Sequence, residues 1–278
     1  MFGLIGADGA GKTTAIRVMC GLLHADAGEV RVLGRDPVRE HRAVTDKVGY
    51  LSQRFSLYGD LSIDENIAFF AEIHGVRHYQ RRRDQLLEMT QLTPFRARLA
   101  DRLSGGMKQK LALACTLVHE PELIMLDEPT TGVDPVSRRE FWKLLSEFLA
   151  NGITILMSTP YLDEAERCSR VALLHEGRLL ASDEPARLRA LIPGKLVEVM
   201  GEGAPRLVDL VRRIPGVVDA QVFGERLHVT LADTGDAAAA RFTQALQDTP
   251  LQGASVRLVA PSLEDVFIAQ LAMQGARS

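Results

Sequence analysis

The stretch GADGAGKT, from Gly6 to Thr13, constrains the fold of this chain more than any other feature of its sequence. It matches the pattern G-x-x-x-x-G-K-[ST]. An apolar segment, FGLI, precedes the stretch, and a helical pattern follows it with one face made of Ile16, Met19, Cys20 and Leu23. Such a loop between a strand and a helix turns backbone N–H groups inward around phosphate oxygens. The sequence therefore predicts an α/β fold with a phosphate-binding loop.

Two side chains of this loop have specific chemistry for a nucleotide. Lys12 supplies a cation to the β and γ phosphates, and Thr13 offers a hydroxyl to magnesium. We expect the nucleotide to be bound by Gly6, Asp8, Gly9, Ala10, Gly11, Lys12, Thr13 and Thr14.

The segment ELIMLDEP, from Glu122 to Pro129, is an apolar strand that ends in two acids. Sheets of the α/β class bind ligands at the carboxyl ends of their strands. Asp127 suits a magnesium ion, and Glu128 suits a base that polarises an attacking water. The alternative interpretation is two solvated acids at a strand end, and the preceding phosphate loop weighs against it.

Short apolar segments alternate with helical patterns up to Gly194, which predicts a largely parallel, buried sheet. The predicted strands are FGLIG, VRVLG, VGYLS, ELIMLD and GITILMST. Between the third and fourth of these the pattern is helical only, and Ser62 with Glu65 forms a predicted capping box. A helical insertion therefore divides the α/β core, and a hairpin with its turn near Glu176 and Gly177 follows that core.

The segment ending in Pro193 and Gly194 predicts a domain boundary. From Lys195 onward the order of elements is βαββαβ, which is the plan of a ferredoxin-like α+β domain. We therefore predict two domains, 1–194 and 195–278. In the tail PSLEDVFI, Ser262 and Asp265 form a predicted capping box that opens a last helix, and this structural role is favoured over a regulatory contact.

Composition limits the kinds of partner that the chain can bind and the compartment in which it works. The net charge of -3 argues against a nucleic-acid binder, which usually has a basic surplus. The three cysteines fit no zinc spacing and imply a reducing compartment. No apolar run approaches the ~18 residues needed to span a bilayer, so we expect a cytoplasmic chain that a partner could hold at a membrane.

A third motif completes the pattern. LSGGMKQK begins at Leu103, and Ser104, Gly105 and Gly106 expose N–H groups at the head of a helix. Placed between the phosphate loop and the acidic strand, it resembles the signature motif of the ABC ATPase superfamily. Gln53 is similar to the Q-loop glutamine of that family, which touches magnesium or water, and Asp134 in TTGVDP is similar to the acid of its D-loop. Taken alone, Gln53 could be an ordinary polar residue at a strand end and Asp134 an N-cap.

The resemblance implies a P-loop ABC ATPase cassette with a helical signature subdomain, which binds ATP and magnesium. It also implies a second cassette, because each ATP lies between the phosphate loop of one cassette and the signature of the other. The segments YLSQRFSLYGDLSIDENI and YLDEAERC look most like ATP-binding subunits of ABC-2-type exporters, including tandem-cassette subunits. The expected partners are therefore a second cassette and membrane-spanning permease subunits, at the cytoplasmic face of the inner (plasma) membrane.

Pro160 departs from the family pattern. Members of the family place a histidine there, which hydrogen-bonds the γ-phosphate and the attacking water. Proline has neither a side-chain donor nor an N–H, and loss of one such donor typically costs ~10² to 10³ in rate. We expect a slow site even with Glu128 present. Three other histidines could replace the missing one, but we expect each of them to be solvated: His24, His119 and His175. The hydroxyls of Thr159 and Tyr161 are two further candidates for the missing donor.

The start of the chain departs too. Relatives have strands before the phosphate loop and an aromatic residue that stacks on adenine, whereas only Met1 to Ile5 precede the loop here. Stacking of a base is worth ~1 to 3 kcal/mol, so we expect weaker nucleotide binding unless Phe2 or a partner compensates. A truncated chain, a misplaced start and a natural short form all remain open.

Three rival functions are weighed against an exporter ATPase. One is a module that uses ATP only to lock a dimer. Another is a soluble ABC protein of chromosome maintenance or translation. A chromosome-maintenance protein needs a heptad-bearing insertion, and a translation protein needs a second cassette and a basic surface. The closest rival is an importer ATPase, separated only by the resemblance of YLSQRFSLYGDLSIDENI and YLDEAERC to exporter subunits and of the tail PSLEDVFI to the tail of drug-exporter ATPases.

Overall fold

A computed structural model describes residues 1–54, 56–235 and 237–275. The chain divides into two compact units, Met1–Leu179 and Leu180–Ser278. The predicted boundary at Gly194 is therefore wrong and lies inside the second unit. The physical reason is that the short helix before Gly194 packs against the last helix of the chain, and both belong to that unit.

Five parallel strands form the centre of the first unit, as the alternating pattern predicted. The strands of this sheet are β1 (Phe2–Ile5), β2 (Val48–Leu51), β3 (Leu123–Asp127), β4 (Thr154–Thr159), β5 (Arg170–His175) and β6 (Arg178–Asp183), in the order β2-β3-β4-β1-β5-β6. The sixth strand is the hairpin partner of β5, and the division between the two units falls within it. The turn between β5 and β6 has left-handed backbone at Glu176 and Gly177, which confirms the predicted hairpin.

Seven helices of the described chain lie in the first unit. They are α1 (Lys12–Met19), α2 (His41–Thr45), α3 (Ile63–Ile73), α4 (Gln80–Met89), α5 (Gly105–Leu117), α6 (Pro135–Ala150) and α7 (Leu162–Ala165). Helices α3, α4 and α5 form the predicted insertion between β2 and β3. The predicted capping box opens α3, since Ser62 Oγ accepts from Glu65 N at 3.3 Å and Glu65 Oε2 accepts from Ser62 N at 2.7 Å.

Two predictions near the start of the first unit are wrong. The segment predicted as a strand, VRVLG, is only a tight turn, in which Val32 and Arg35 exchange backbone hydrogen bonds around Leu33 and Gly34. Both turn residues have positive φ, so the chain folds back at once and pairs with itself. Leu23 is 40% exposed, because α1 already ends at Met19.

The second unit contains a four-stranded antiparallel sheet. Its elements are α8 (Pro185–Arg189), β7 (Lys195–Met200), α9 (Val208–Arg212), β8 (Val217–Phe223), β9 (Arg226–Leu231), α10 (Ala238–Ala245), β10 (Ser255–Val259) and α11 (Leu263–Gly275). The strand order of the sheet is β10-β7-β9-β8. This order confirms the ferredoxin-like plan. The predicted capping box also opens α11, with Asp265 N donating to Ser262 Oγ at 3.2 Å and Ser262 N donating to Asp265 Oδ2 at 2.7 Å.

The helices of residues 1–54, 56–235 and 237–275 include none that combines the length and apolar character required to cross a membrane.

Candidate functional site

The phosphate loop connects β1 to α1 and depends on glycine at both ends. At Gly6, an added Cβ would lie 2.4 Å from the carbonyl oxygen of Leu174 on β5, so only glycine fits. Gly11 has φ 99° and is the N-cap of α1, which begins at Lys12. The loop is therefore held tightly against the carboxyl edge of the sheet.

Lys12 is buried and all three of its ammonium hydrogens have acceptors. Its Nζ donates to the carbonyl oxygens of Gly6 at 2.8 Å and Ala7 at 3.0 Å, and it forms an ion pair with Glu128 Oε1 at 3.0 Å. The lysine of the loop and the second acid of β3 are thus direct neighbours, although 116 positions separate residues 12 and 128 (128 − 12) in the sequence.

Asp127 ends β3 below the loop and is 1% exposed. Its Oδ1 accepts from Thr13 Oγ1 at 3.1 Å and from Ser158 Oγ at 2.7 Å. Its Oδ2 is buried and has no hydrogen-bond partner in the described part of the chain. Burial raises the pKa of the nearby Cys20 thiol to about 12, and the charge of Asp127 adds to this shift. A cation beside Asp127 would satisfy its free oxygen.

Glu128 follows β3 with a left-handed backbone, φ 49°, which is uncommon for a residue with a side chain. Its N–H donates to Ser158 Oγ at 3.0 Å. Its Oε2 accepts from Gln53 Nε2 at 3.1 Å and from Thr131 Oγ1 at 3.4 Å. Gln53, Thr131 and Lys12 therefore orient this carboxylate, and Ser158 holds the backbone behind it.

These groups surround one open pocket of about 720 Å³. This volume lies within the range of small-molecule sites. The lining residues are Ala7, Asp8, Gly9, Ala10, Gly11, Lys12, Thr13, Thr14, Gln53, Glu128, Thr131, Pro160 and Tyr161. Gly6 and Asp127 lie directly behind this lining, through their contacts with Lys12 and Thr13.

No histidine is among these lining residues. His24 is exposed, as expected. The expectation that His119 is solvated is wrong, because its ring stacks on His74 at 3.8 Å between centroids and both of its ring nitrogens are buried. His175 is 35% exposed in the side chain and lies 3.9 Å from Glu176, at the turn that follows β5.

The two hydroxyl substitutes for a histidine differ in position. Thr159 Oγ1 donates to Glu164 at 2.7 Å and is fully buried, so its hydrogen is already committed. Tyr161 lines the pocket, and its ring lies 4.7 Å from the guanidinium of Arg138. Phe2, the candidate for adenine stacking, lies in β1 and packs against the core instead.

The signature residues do not line this pocket. Ser104 is the N-cap of α5 and accepts from Met107 N at 3.3 Å, and both Ser104 and Gly105 are exposed. Gly106 is buried against Ser137, where an added Cβ would lie 2.4 Å from Ser137 Oγ. Asp134 is the N-cap of α6, and hydrogen bonds from the side chain and backbone of Ser137 lower its pKa.

Comparison of the sequence with known proteins assigns the chain to a family. The family model described as ABC transporter matches residues 1–131. Over 273 residues the chain is 36% identical to the daunorubicin resistance ATP-binding protein DrrA2 of Streptomyces coeruleorubidus, covering 96% of this chain and 84% of that protein. The chain belongs to the ABC transporter family.

Two further similarities agree with this membership. The chain is 42% identical over 270 residues to the probable multidrug ABC transporter ATP-binding protein YbhF of Escherichia coli (strain K12). The aligned region covers 96% of this chain but only 46% of the length of YbhF. A solved structure described as the ATP binding subunit of an ABC transporter has a TM-score of 0.62 at 31% identity, covering 69% of this chain and 81% of that chain.

Sequence reasoning missed several residues that build the cassette's site. Ser158 joins the two acids of β3, and Glu164 joins the ends of β3 and β4. Glu164 lies in the acidic segment LDEAE, which predicts a solvated helix start, so no local signal marks it as buried. Its role depends on Arg138 and Trp142 of α6, which only the fold brings to it.

Proposed function

We propose that this chain is the ATP-binding subunit, or half of a tandem subunit, of an ABC-2-type exporter, and that its own site binds Mg-ATP but hydrolyses it slowly. The observation that carries the proposal is the shared pocket of Lys12, Glu128 and Pro160. The first two are an ordered cation and base, and the third stands where the family has a histidine.

Lys12 and the loop from Gly6 to Thr14 bind the phosphates in this proposal. The three acceptors of Lys12 include Glu128, so a γ-phosphate competes with that carboxylate for the ammonium group. Glu128 is then free to accept a proton from an attacking water, and Gln53 holds it in place through Oε2.

Magnesium fits the residues on the other side of the loop. Asp127 has a buried oxygen without a partner, and Thr13 contributes a hydroxyl next to it. Hard oxygen ligands of this kind suit Mg²⁺, which keeps several waters and binds through one or two protein groups plus phosphate. Thr13, Asp127 and Gln53 would hold the ion, which neutralises phosphate charge when bound.

The slow rate follows from the pocket wall. Pro160 has no N–H, and the hydroxyl of Thr159 is used by Glu164. The wall therefore lacks the imidazole that relatives offer to the developing charge, and one such donor is worth ~10² to 10³ in rate.

Partners follow from what lies outside the pocket. Ser104 and Gly105 are exposed at the head of α5 and do not line the chain's own site, so they are free to complete the site of a second cassette. The names of the relatives, a probable multidrug ABC transporter ATP-binding protein and a daunorubicin resistance ATP-binding protein, favour export over import. We propose a permease partner and a place at the cytoplasmic face of the membrane on the same basis.

The test is phosphate release by the assembled transporter, with each variant placed in this cassette only. Glu128→Gln is expected to change turnover little, because the partner site does most of the work. Pro160→His is expected to raise the turnover of this site about 10²-fold, and adding Glu128→Gln should remove that gain.

Pro160→Ala is the matched control, since it restores an N–H without an imidazole. Unchanged turnover in Pro160→His, or a collapse in Glu128→Gln alone, contradicts the slow-site proposal. ATP that stays intact in the site through many turnovers of the partner would favour a module that only locks the dimer.

A further inference from the structure

The carboxylate of Glu164 is a hydrogen-bond centre directly behind the pocket. Glu164 lies on α7 and is fully buried. Its Oε1 accepts from Thr130 Oγ1 at 2.7 Å, from Arg138 Nε at 2.6 Å and from Trp142 Nε1 at 3.3 Å. Its Oε2 accepts from Thr159 Oγ1 at 2.7 Å. One side chain thus joins the turn after β3, the end of β4 and helix α6.

Two of these donors are next to pocket residues. Thr130 follows Glu128 by two positions and precedes Thr131, which contacts the Glu128 carboxylate. Thr159 immediately precedes Pro160, and its Oγ1 also accepts from Tyr161 N at 3.0 Å. Glu164 therefore anchors the turn that carries the base and the wall that faces it.

Arg138 supplies the positive charge that a buried carboxylate requires. Its Nη2 also contacts both carboxylate oxygens of Asp163, at 3.1 and 3.2 Å. Partial burial lowers the pKa of Arg138, but the hydrogen bond and charge of Glu164 outweigh this effect and raise it above the usual value. The centre thus extends to the start of α6, four residues after Asp134.

A buried ion pair is weak evidence for stability, because well-packed apolar side chains often serve as well or better. The contacts of Glu164 instead have a clear geometric consequence. They fix the distance between two segments that line the pocket, the turn of residues 128–131 after β3 and the wall of residues 159–161 at the end of β4. The phosphate loop is not among its hydrogen-bond partners.

We infer that Glu164 is a positioning residue for ATP hydrolysis, which holds the Glu128–Thr131 turn and the Thr159–Tyr161 wall in fixed register. The inference rests on the proposed hydrolytic function of this site. It predicts a separation of two quantities: loss of the anchor lowers kcat, while the affinity for ATP, which the phosphate loop determines, stays nearly constant.

The variants weaken the contacts of Glu164 one at a time. Glu164→Gln keeps the shape of the side chain and removes its charge. Thr130→Val removes one hydroxyl donor with little change in volume, and Thr159→Val removes a second donor together with the acceptor of Tyr161 N, so these two serve if Glu164→Gln fails to fold. The matched control is Glu198→Gln, because Glu198 is also a buried carboxylate, which accepts from Arg226 at 2.7 Å and Arg257 at 2.6 Å in the second unit.

Each variant is measured in the complete transporter in the Pro160→His background, where this site turns over measurably. ATP affinity is measured with a fluorescent ATP analogue, and the site's kcat is the phosphate release that Glu128→Gln abolishes. The emission of Trp142, the single tryptophan of the chain, reports whether the centre stays intact in the isolated subunit.

We expect Glu164→Gln and each Thr→Val variant to lower kcat about 10- to 100-fold and to change the Kd for the ATP analogue less than about threefold. Glu198→Gln should leave both unchanged. Unaltered kcat in folded Thr130→Val and Thr159→Val overturns the inference, as does a parallel loss of affinity and kcat that follows the melting temperature. Absence of Glu128-dependent release before any anchor is changed instead refutes the proposed hydrolysis, and the inference with it.

Discussion

Ser158 connects the two acids of the site through one hydroxyl. Its Oγ donates to Asp127 Oδ1 at 2.7 Å and accepts from Glu128 N at 3.0 Å, and the side chain is fully buried. The hydroxyl thereby compensates part of the charge of Asp127 and holds the left-handed backbone of Glu128. A single-atom deletion at this position affects both acids.

Ser158→Ala is expected to lower the free energy of unfolding by about 1 to 3 kcal/mol, because Asp127 Oδ1 and Glu128 N each lose a buried hydrogen bond, the first of them to a charged group. Urea denaturation of the folded chain measures this loss. Ser146→Ala is the control, since Ser146 Oγ donates to the Trp142 carbonyl of its own helix and has no other hydrogen bond within the described residues, and it should change stability by no more than about 0.5 kcal/mol. Equal losses in the two variants would contradict the connecting role of Ser158.

At the scale of elements, the ends of α3 and α5 meet through two histidines. His74 is the C-cap of α3, and His119 follows α5, with the two rings parallel within 3°. Burial, with a contribution from His74, lowers the pKa of His119 to about 4. The unfolded chain therefore takes up this proton first as pH falls, so folding stability decreases between about pH 6.5 and 4.

His119→Phe keeps an aromatic ring for the stack and removes the titration. We expect it to abolish a loss on the order of 1–2 kcal/mol over that pH interval, measured by urea denaturation at pH 7, 5.5 and 4.5. His24→Phe, at an exposed position, should keep the acid sensitivity of the unaltered chain. Identical pH profiles for His119→Phe and the unaltered chain would exclude His119 as the source.

In the second unit, a contact at α11 gives folding stability the opposite dependence on pH. His228 Nδ1 lies 2.7 Å from Asp265 Oδ1 at the head of this helix, and its Nε2 lies 3.7 Å from Glu198. The hydrogen bond to Asp265 raises the pKa of His228 above its ordinary 6.5, despite partial burial. The contribution of this contact to folding stability is complete below pH 6.5 and is lost as pH rises through the raised pKa of His228.

Replacing the ring tests this contact. In the unaltered chain, amide hydrogen exchange in residues 263–275 should become faster from pH 6.5 to 8.5, after correction for the intrinsic exchange rate. His228→Gln, which cannot gain the charge, should show the faster exchange throughout and little dependence on pH. A persistent pH dependence in this variant would point to another group.

At the scale of the whole molecule, the exposed head of α5 predicts that one cassette controls the site of another. A Cβ added at Gly105 meets no atom of the described residues within 4 Å outside the adjoining backbone of its own helix, so Gly105→Glu should leave the fold and the chain's own ATP affinity unchanged. Its negative charge would face the phosphates of the partner's ATP and should lower phosphate release by the assembled transporter about 10²-fold. Gly105→Ser, which adds no charge, is the control, and unchanged release in Gly105→Glu would contradict the paired arrangement.

Local patterns predicted much of this molecule correctly. The strands and helices around the phosphate loop, the insertion and the ferredoxin-like unit all follow from periodicity and turn residues, because their formation depends on neighbours in sequence. The errors have two causes. The turn at Leu33 and Gly34 and the end of α1 at Met19, before Leu23, are local backbone events that apolar periodicity does not mark. The boundary at Gly194 depended instead on a distant segment, because α8 packs against α11.

The sequence by itself determined the chemistry of the candidate site: a glycine-spaced loop with Lys12 and Thr13, two acids at the end of β3, and a proline at position 160. These are matters of residue type and short spacing, which do not change with folding. The tertiary structure alone decided the pairing of Lys12 with Glu128, the stack of His119 on His74 and the burial of Glu164 among donors from three elements. Such contacts join residues far apart in the chain, and whether a charged side chain is solvated or buried depends on the packing around it.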